Sequence, residues 1–114
     1  MTLTFEVDNG VGVLSLDGRI DTRTSAEFER EVMSRIVGPE AVNRLVADFS
    51  DLDYINSTGM RVLLLLAKRL GASGGKLVLC SMKMEILEVF RISGFNQIIT
   101  ITNDRAEAIA AVSE

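Results

Sequence analysis

Leu45-Val46-Ala47-Asp48-Phe49 is an apolar run of strand length, and residues 60–70 form a helix-prone stretch apolar on nearly every side. Only a short polar segment separates them. The chain must therefore pass from a buried strand almost directly into a buried helix. A strand followed by such a helix returns to its sheet by a crossover, and this restricts the fold to an α/β architecture.

The remaining segments fit that restriction. Leu3-Thr4-Phe5-Glu6-Val7 alternates apolar and polar residues as a half-buried strand does, Asp8-Asn9-Gly10 supplies turn chemistry, and Val11-Gly12-Val13-Leu14-Ser15-Leu16 returns as its hairpin partner. Thr24-Ser25-Ala26-Glu27 has the pattern of a capping box, opening a helix with Phe28, Val32 and Ile36 on one stripe and Gly38-Pro39 as its stop. Gly71-Ala72-Ser73-Gly74-Gly75 is expected to end the central helix at Gly71, and residues 76–81 to form a further strand. Met84, Ile86, Leu87, Val89 and Phe90 give the apolar side of a third helix that ends near Gly94. A short strand at 98–101 and a terminal helix at 104–112 complete the expectation. The predicted fold is α/β, a mixed sheet with an opening hairpin and then largely parallel strands, packed with about four helices.

A chain of 114 residues with a hydrophobic fraction of 47% is expected to make one domain, residues 1–114, with a core of its own. No apolar run approaches a membrane span, and the start lacks a basic region followed by an apolar stretch, which predicts a cytoplasmic protein. A net charge of −4, one Tyr and no Trp argue against direct nucleic-acid binding, which calls for a basic patch or stacking platforms. The absence of histidine removes the commonest general base and rules out Ser-His and Cys-His pairings, so the chain is expected not to be an enzyme and to need no cofactor or metal. Cys80 lies in a predicted buried strand and is expected to act as a small hydrophobe.

Ser57 and Thr58 fall at the strand-to-helix turn, at or beside the N-cap. There a hydroxyl can accept a bond from an unpaired backbone N–H. The same place suits a phosphate, because a helix N-terminus offers free donors and partial positive charge. A plain cap and a phosphorylation switch are both open on this segment alone. Arg61, four residues on, projects from the side of Ser57 and is either a solvated charge or a phosphate partner. Met60, Met82 and Met84 are read as an adaptable contact surface or as fillers of core gaps. Asp21 is either a helix-start acid or shares a face with Ser57. Asp48, Asp51 and Asp53, with Asp21, form a carboxylate cluster on paper, with Asp51 and Asp53 expected on a solvated turn after the strand. Gly71 to Lys76 is no phosphate loop, since its spacing is wrong, Leu77 replaces Ser or Thr, and it runs from helix to strand.

Three stretches together carry a resemblance to a known family: Leu16-Asp17-Gly18-Arg19-Ile20-Asp21, residues 45–59 through Asp53-Tyr54-Ile55-Asn56-Ser57-Thr58-Gly59, and Gly74-Gly75-Lys76-Leu77-Val78-Leu79-Cys80 with Ser93-Gly94-Phe95 beyond. In that order and spacing the chain resembles the STAS domain, in particular the small stand-alone anti-sigma factor antagonists. The resemblance implies a STAS fold and a protein-interaction switch. An anti-sigma factor that is itself a serine kinase would phosphorylate Ser57, and a serine phosphatase (PP2C-like) would reverse it. It also implies a partner-binding surface around Asp21, Asn56, Thr58, Gly59, Met60 and Arg61. Asn56 stands where the family has aspartate, and Thr58 where it has a second small residue. The alternative within the same fold is a non-switching scaffold subunit of a signalling assembly or transport system, with Ser57 only a cap.

Overall fold

β1 (Thr2–Asp8) and β2 (Val11–Ile20) pair antiparallel, from Thr2 opposite Asp17 to Asp8 opposite Val11. Asn9 and Gly10 turn the hairpin, both at positive φ (53° and 80°), the combination a type I′ turn requires. The computed structural model describes residues 1–37 and 41–114. Beyond the hairpin follow α1 (Ser25–Ser34), β3 (Arg44–Ile55), α2 (Ser57–Ala72), β4 (Lys76–Cys80), α3 (Met84–Ile92), a 3-10 turn (Phe95–Gln97), β5 (Thr100–Thr102) and α4 (Arg105–Val112).

The strands lie side by side in chain order, β1-β2-β3-β4-β5, and every pair after the first is parallel. Each crossover steps the same way along the sheet, so right-handed connections put α1, α2 and α3 on one face. The register shows how the two faces divide. Leu14, Ala47, Leu79 and Ile101 stand abreast and pack with Phe28, Val32, Leu63, Leu66 and Phe90 of those three helices. One residue earlier, Val13, Val46 and Val78 turn to the other face, where Ala108 and Val112 of α4 cover them. The mixed sheet with four helices is the STAS-type arrangement expected from the sequence.

Several boundaries differ from the sequence expectation, each for a tertiary reason. β3 runs on to Ile55 because β2 also continues, to Ile20, and stays paired with it across two register shifts and a Gly18 at φ 101°. Asp51 and Asp53 consequently lie on a strand, not on a turn. α2 passes through Gly71 and ends at Ala72. Its end is a Schellman closure, in which Gly75 N–H donates to Leu70 O (2.7 Å) and Gly74 N–H to Gly71 O (3.1 Å), with Gly74 at φ 80°. α1 stops at Ser34; the expected Gly38-Pro39 stop lies outside the described residues. The 3-10 turn takes up Ile98 and Ile99, whose N–H groups both donate to Phe95 O, so the last strand begins only at Thr100. On α3, Ile86 and Phe90 are buried, whereas Met84 and Val89 face outward. Cys80 is buried in the α4-side cluster, and burial pushes its thiol pKa up.

Candidate functional site at the start of helix α2

The site begins where β2 and β3 end together. Ile20 and Ile55 are register partners, and Asn56 N–H donates to Ile20 O at 2.8 Å. The loop starting at Asp21 and the turn starting at Asn56 therefore leave the sheet side by side.

Asn56 is the N-cap of α2. Its backbone is extended (φ −87°, ψ 176°), its Oδ1 accepts from Gly59 N–H at 2.8 Å, and its carbonyl accepts from Met60 N–H at 3.0 Å. This corrects the expectation that a Ser57 or Thr58 hydroxyl serves the cap: those residues occupy the first turn and are exposed. Of the four N–H groups that a helix start leaves over, Asn56 uses its own on Ile20 and satisfies that of Gly59. Among the described residues no partner is found for the N–H groups of Ser57 and Thr58, nor for the Ser57 hydroxyl. Gly59 is required by contact: a Cβ there would stand 2.7 Å from Ile20 Cγ2 and 2.8 Å from Ile55 Cγ1. The structure brings Asp21, Asn56, Ser57, Thr58 and Arg61 to one end of the molecule, while Gly59 and Met60 lie buried beneath them. Met60 is a core residue, not part of a contact surface. Arg61 is exposed one helical turn after Ser57, and no ion pair to it is found among the described residues.

The Asp21 loop is built by its own hydrogen bonds. Asp21 O accepts from the N–H groups of Thr24 (3.1 Å) and Ser25 (2.9 Å), and Oδ1 accepts from Arg23 N–H (3.0 Å). That Arg23 bond, followed by Thr24 and by Arg19 at 3.8 Å, holds the Asp21 carboxyl below its ordinary pKa against some desolvation. The predicted capping box does not form, because the Thr24 hydroxyl instead donates to Arg19 O (2.8 Å) and accepts from Asp21 N–H (3.0 Å). Asp21 is thus both a turn-forming acid and a neighbour of the Asn56 turn.

Other charges near the strand ends are paired. The Arg19 guanidinium lies over the Tyr54 ring, 4.5 Å from its centroid. Lys83 is ion-paired and hydrogen-bonded to Asp53, which lowers the Asp53 pKa and raises that of Lys83. Asp48 belongs to the opposite face. Arg105 Nε and Nη2 donate to its Oδ2 at 3.1 and 2.8 Å, Ser50 N–H donates to its Oδ1 at 2.9 Å, and Arg105 Nη2 also donates to Ser15 Oγ at 3.1 Å. The carboxylates that stood close in sequence are therefore dispersed, and no metal-binding group of three is found among the described residues.

Sequence reasoning missed the capping role of Asn56, the Arg19–Tyr54 stack, and the Lys83–Asp53 and Arg105–Asp48 pairs. Asn ranks with Ser as a cap, so only the length of β3 could have told them apart. The ion-paired partners are 30 and 57 residues apart and leave no local signal.

Residues 2–108 match the STAS domain. Over 111 residues, 97% of this chain and 94% of the relative, the sequence is 40% identical to the Bordetella bronchiseptica protein named "Putative anti-sigma factor antagonist BtrV". The chain is a STAS domain of the anti-sigma factor antagonist family. An anti-sigma factor antagonist from Mycobacterium paratuberculosis superposes on this STAS domain with a TM-score of 0.88 at 22% identity, covering 99% of this chain and 94% of the other. The phosphorylated form of the Bacillus cell fate determinant SpoIIAA does so with 0.73 at 23% identity, covering 97% and 99%. Both likenesses are of fold. No helix in the described residues of this STAS domain is long and apolar enough to cross a membrane.

Proposed function

We propose that this STAS domain is a phosphorylation-controlled partner switch. With Ser57 unmodified it binds an anti-sigma factor that is a serine kinase, and the sigma factor held by that kinase is set free. The kinase then uses the chain as substrate. Ser57 Oγ attacks the γ-phosphorus of ATP, ADP leaves, and the hydroxyl proton passes to a base on the kinase. A serine phosphatase (PP2C-like) restores the hydroxyl by hydrolysis.

One observation carries this reading: Ser57 is exposed on the first turn of α2, and Asn56 has already taken the cap. A group transferred to Ser57 Oγ breaks no hydrogen bond among those described. The added charge, about −1.5 to −2, sits at the positive end of the helix dipole beside two unused N–H groups. The dianion is tolerated by its own helix and resisted at an interface, where it must lose hydration against the partner. Moving a complex from almost fully bound to almost fully free takes about 5.5 kcal/mol of differential affinity. Desolvation and like-charge contact of one phosphate supply energies of that order without refolding.

The test has two arms. The serine kinases of the source genome, each purified and incubated with the chain and ATP, are screened by mass spectrometry for one phosphoryl group on Ser57. With the kinase so found, Ser57→Ala binds constitutively and Ser57→Asp binds weakly. Equal affinity of wild type and both variants overturns the switch.

A further inference from the structure

Ser57, Thr58 and Arg61 offer a partner two small hydroxyl residues and one cation. A specific, stable interface covers about 800 Å² on each partner and has an apolar centre, more than these three side chains provide. The apolar remainder has a location. Among the exposed large hydrophobic residues, Met84 (66% exposed), Val89, Ile92 (83% exposed) and Ile98 all come from α3 and the turn that follows it. Met84, Glu88 and Ile92 share the outward line of α3, four residues apart. Charged residues are interleaved with them: Glu88 lies between Met84 and Ile92 and is ion-paired to Arg91, and Lys83 and Glu85 flank the first turn. Beside them a mainly polar cavity of about 250 Å³, lined by Arg91, Asn96, Thr102 and Asn103 with Leu87 and Ile101, opens between α3 and the end of β5.

Position points to the occupant. Lys83, the residue before Met84, is ion-paired to Asp53, four residues before Ser57. The first turn of α3 is thereby tied to the strand end that carries the phosphorylation site. A kinase that delivers phosphate to Ser57 must sit over this end of the sheet, with α3 as its apolar neighbour. We propose that the exposed apolar side chains on the outer face of α3, Met84, Val89 and Ile92, are the apolar part of the docking surface for the anti-sigma kinase. α3 supplies the grip, and Ser57 decides whether the grip holds. This docking rests on Ser57 being the kinase's substrate.

The experiment measures affinity for the kinase that phosphorylates Ser57, loaded with a non-hydrolysable ATP analogue so that no transfer occurs. Met84→Glu and Ile92→Glu are compared with wild type, with Ser57→Asp, and with Val7→Glu, an exposed apolar site (54%) on β1 at the far edge of the sheet. Each α3 variant is expected to weaken binding about tenfold or more, as loss of an interface anchor does, and Val7→Glu to leave it unchanged. Met84→Ser and Ile92→Ser stand in should a glutamate variant lose its folded thermal transition. Wild-type affinity in the α3 variants, with Ser57→Asp still weak, overturns the α3 surface and leaves the Ser57 switch standing. Weak α3 variants with Ser57→Asp at wild-type strength keep the surface and remove the switch. Self-association of the wild type that Ile92→Glu abolishes shows a second copy on this face, and also overturns the proposal.

Discussion

Asn56 Oδ1 accepts the Gly59 N–H at 2.8 Å, and this one bond leaves the Ser57 hydroxyl between them with no structural duty. The cap and the exposed alcohol are adjacent residues, and only the first holds the helix start.

Asn56→Ala removes the cap and is expected to cost about 0.5–2 kcal/mol, read as a lower thermal midpoint. Asn56→Asp keeps an oxygen in place and is expected to match wild-type stability. It also puts a negative charge beside Ser57, so phosphorylated Asn56→Asp should gain less stability than phosphorylated wild type. Thermal unfolding of wild type, Asn56→Ala and Asn56→Asp, and of the phosphorylated forms of the first and last, checks these statements.

Gly59→Ala gains up to about 1 kcal/mol in intrinsic helix preference. The new Cβ would nevertheless meet Ile20 and Ile55 below 3 Å, in a core where Ile20 is fully buried. Overpacking of this kind costs about 1–3 kcal/mol, so the variant is expected to be less stable despite the better helix former. Its phosphorylation should also slow, because the first turn of α2 is pushed from the strand ends. Denaturant unfolding and a kinase time course read the two effects.

Phosphorylation of Ser57 should stabilise the isolated chain by about 0.3–1 kcal/mol, the usual worth of an anion at a helix start. It is expected to weaken partner binding at the same time. Arg61→Ala should remove about 0.2–0.5 kcal/mol of the gain, the size of one pair spaced by a helical turn, and change phosphate turnover. A double-mutant cycle on phosphorylated and unphosphorylated protein measures the coupling. No coupling and no change in turnover would make Arg61 a solvated surface charge.

Asp48 predicts an acid limb. Burial alone would raise its carboxyl pKa, but the Ser50 N–H and the Arg105 guanidinium outweigh burial and hold it below the ordinary 3.8. A value depressed in the folded state contributes stability that is fully present above the unfolded value and lost as pH falls through the folded one. Wild type should therefore lose stability relative to Asp48→Asn as pH drops from about 5 to about 2. Arg105→Ala is expected to cost about 1.5–3 kcal/mol at neutral pH, as loss of a charge-assisted bond does, and to shrink the acid limb, since the guanidinium's share of the lowering is lost while the Ser50 bonds remain. Thermal midpoints against pH separate the three proteins.

The legible part of the fold was the part written in local periodicity. The hairpin turn at Asn9-Gly10, the stripe of Phe28 and Val32, the strand at Leu45 to Phe49, and the last helix up to Val112 all follow from residues within a few positions of one another. The expectation failed where a neighbouring loop offered a competing partner or a distant segment decided. Thr24 could not complete its capping box because Arg19 O and Asp21 N–H, which belong to the preceding strand and loop, claimed its hydroxyl. Of the two readings open for Met60, burial in the core is the one the structure takes.

Sequence alone determined the order of elements, the parallel sheet, and an alcohol at the mouth of a strand–helix turn, because apolar spacing and turn chemistry act over a few residues. Only the tertiary structure decided which residue capped the helix, which aspartates met cations, and which methionine reached solvent. Those outcomes depend on β2 continuing beside β3 to Ile20, on Arg105 reaching Asp48 across 57 positions, and on α3 turning Met84 outward. Burial and pairing are set by what the folded chain brings near, and linear spacing does not carry that information.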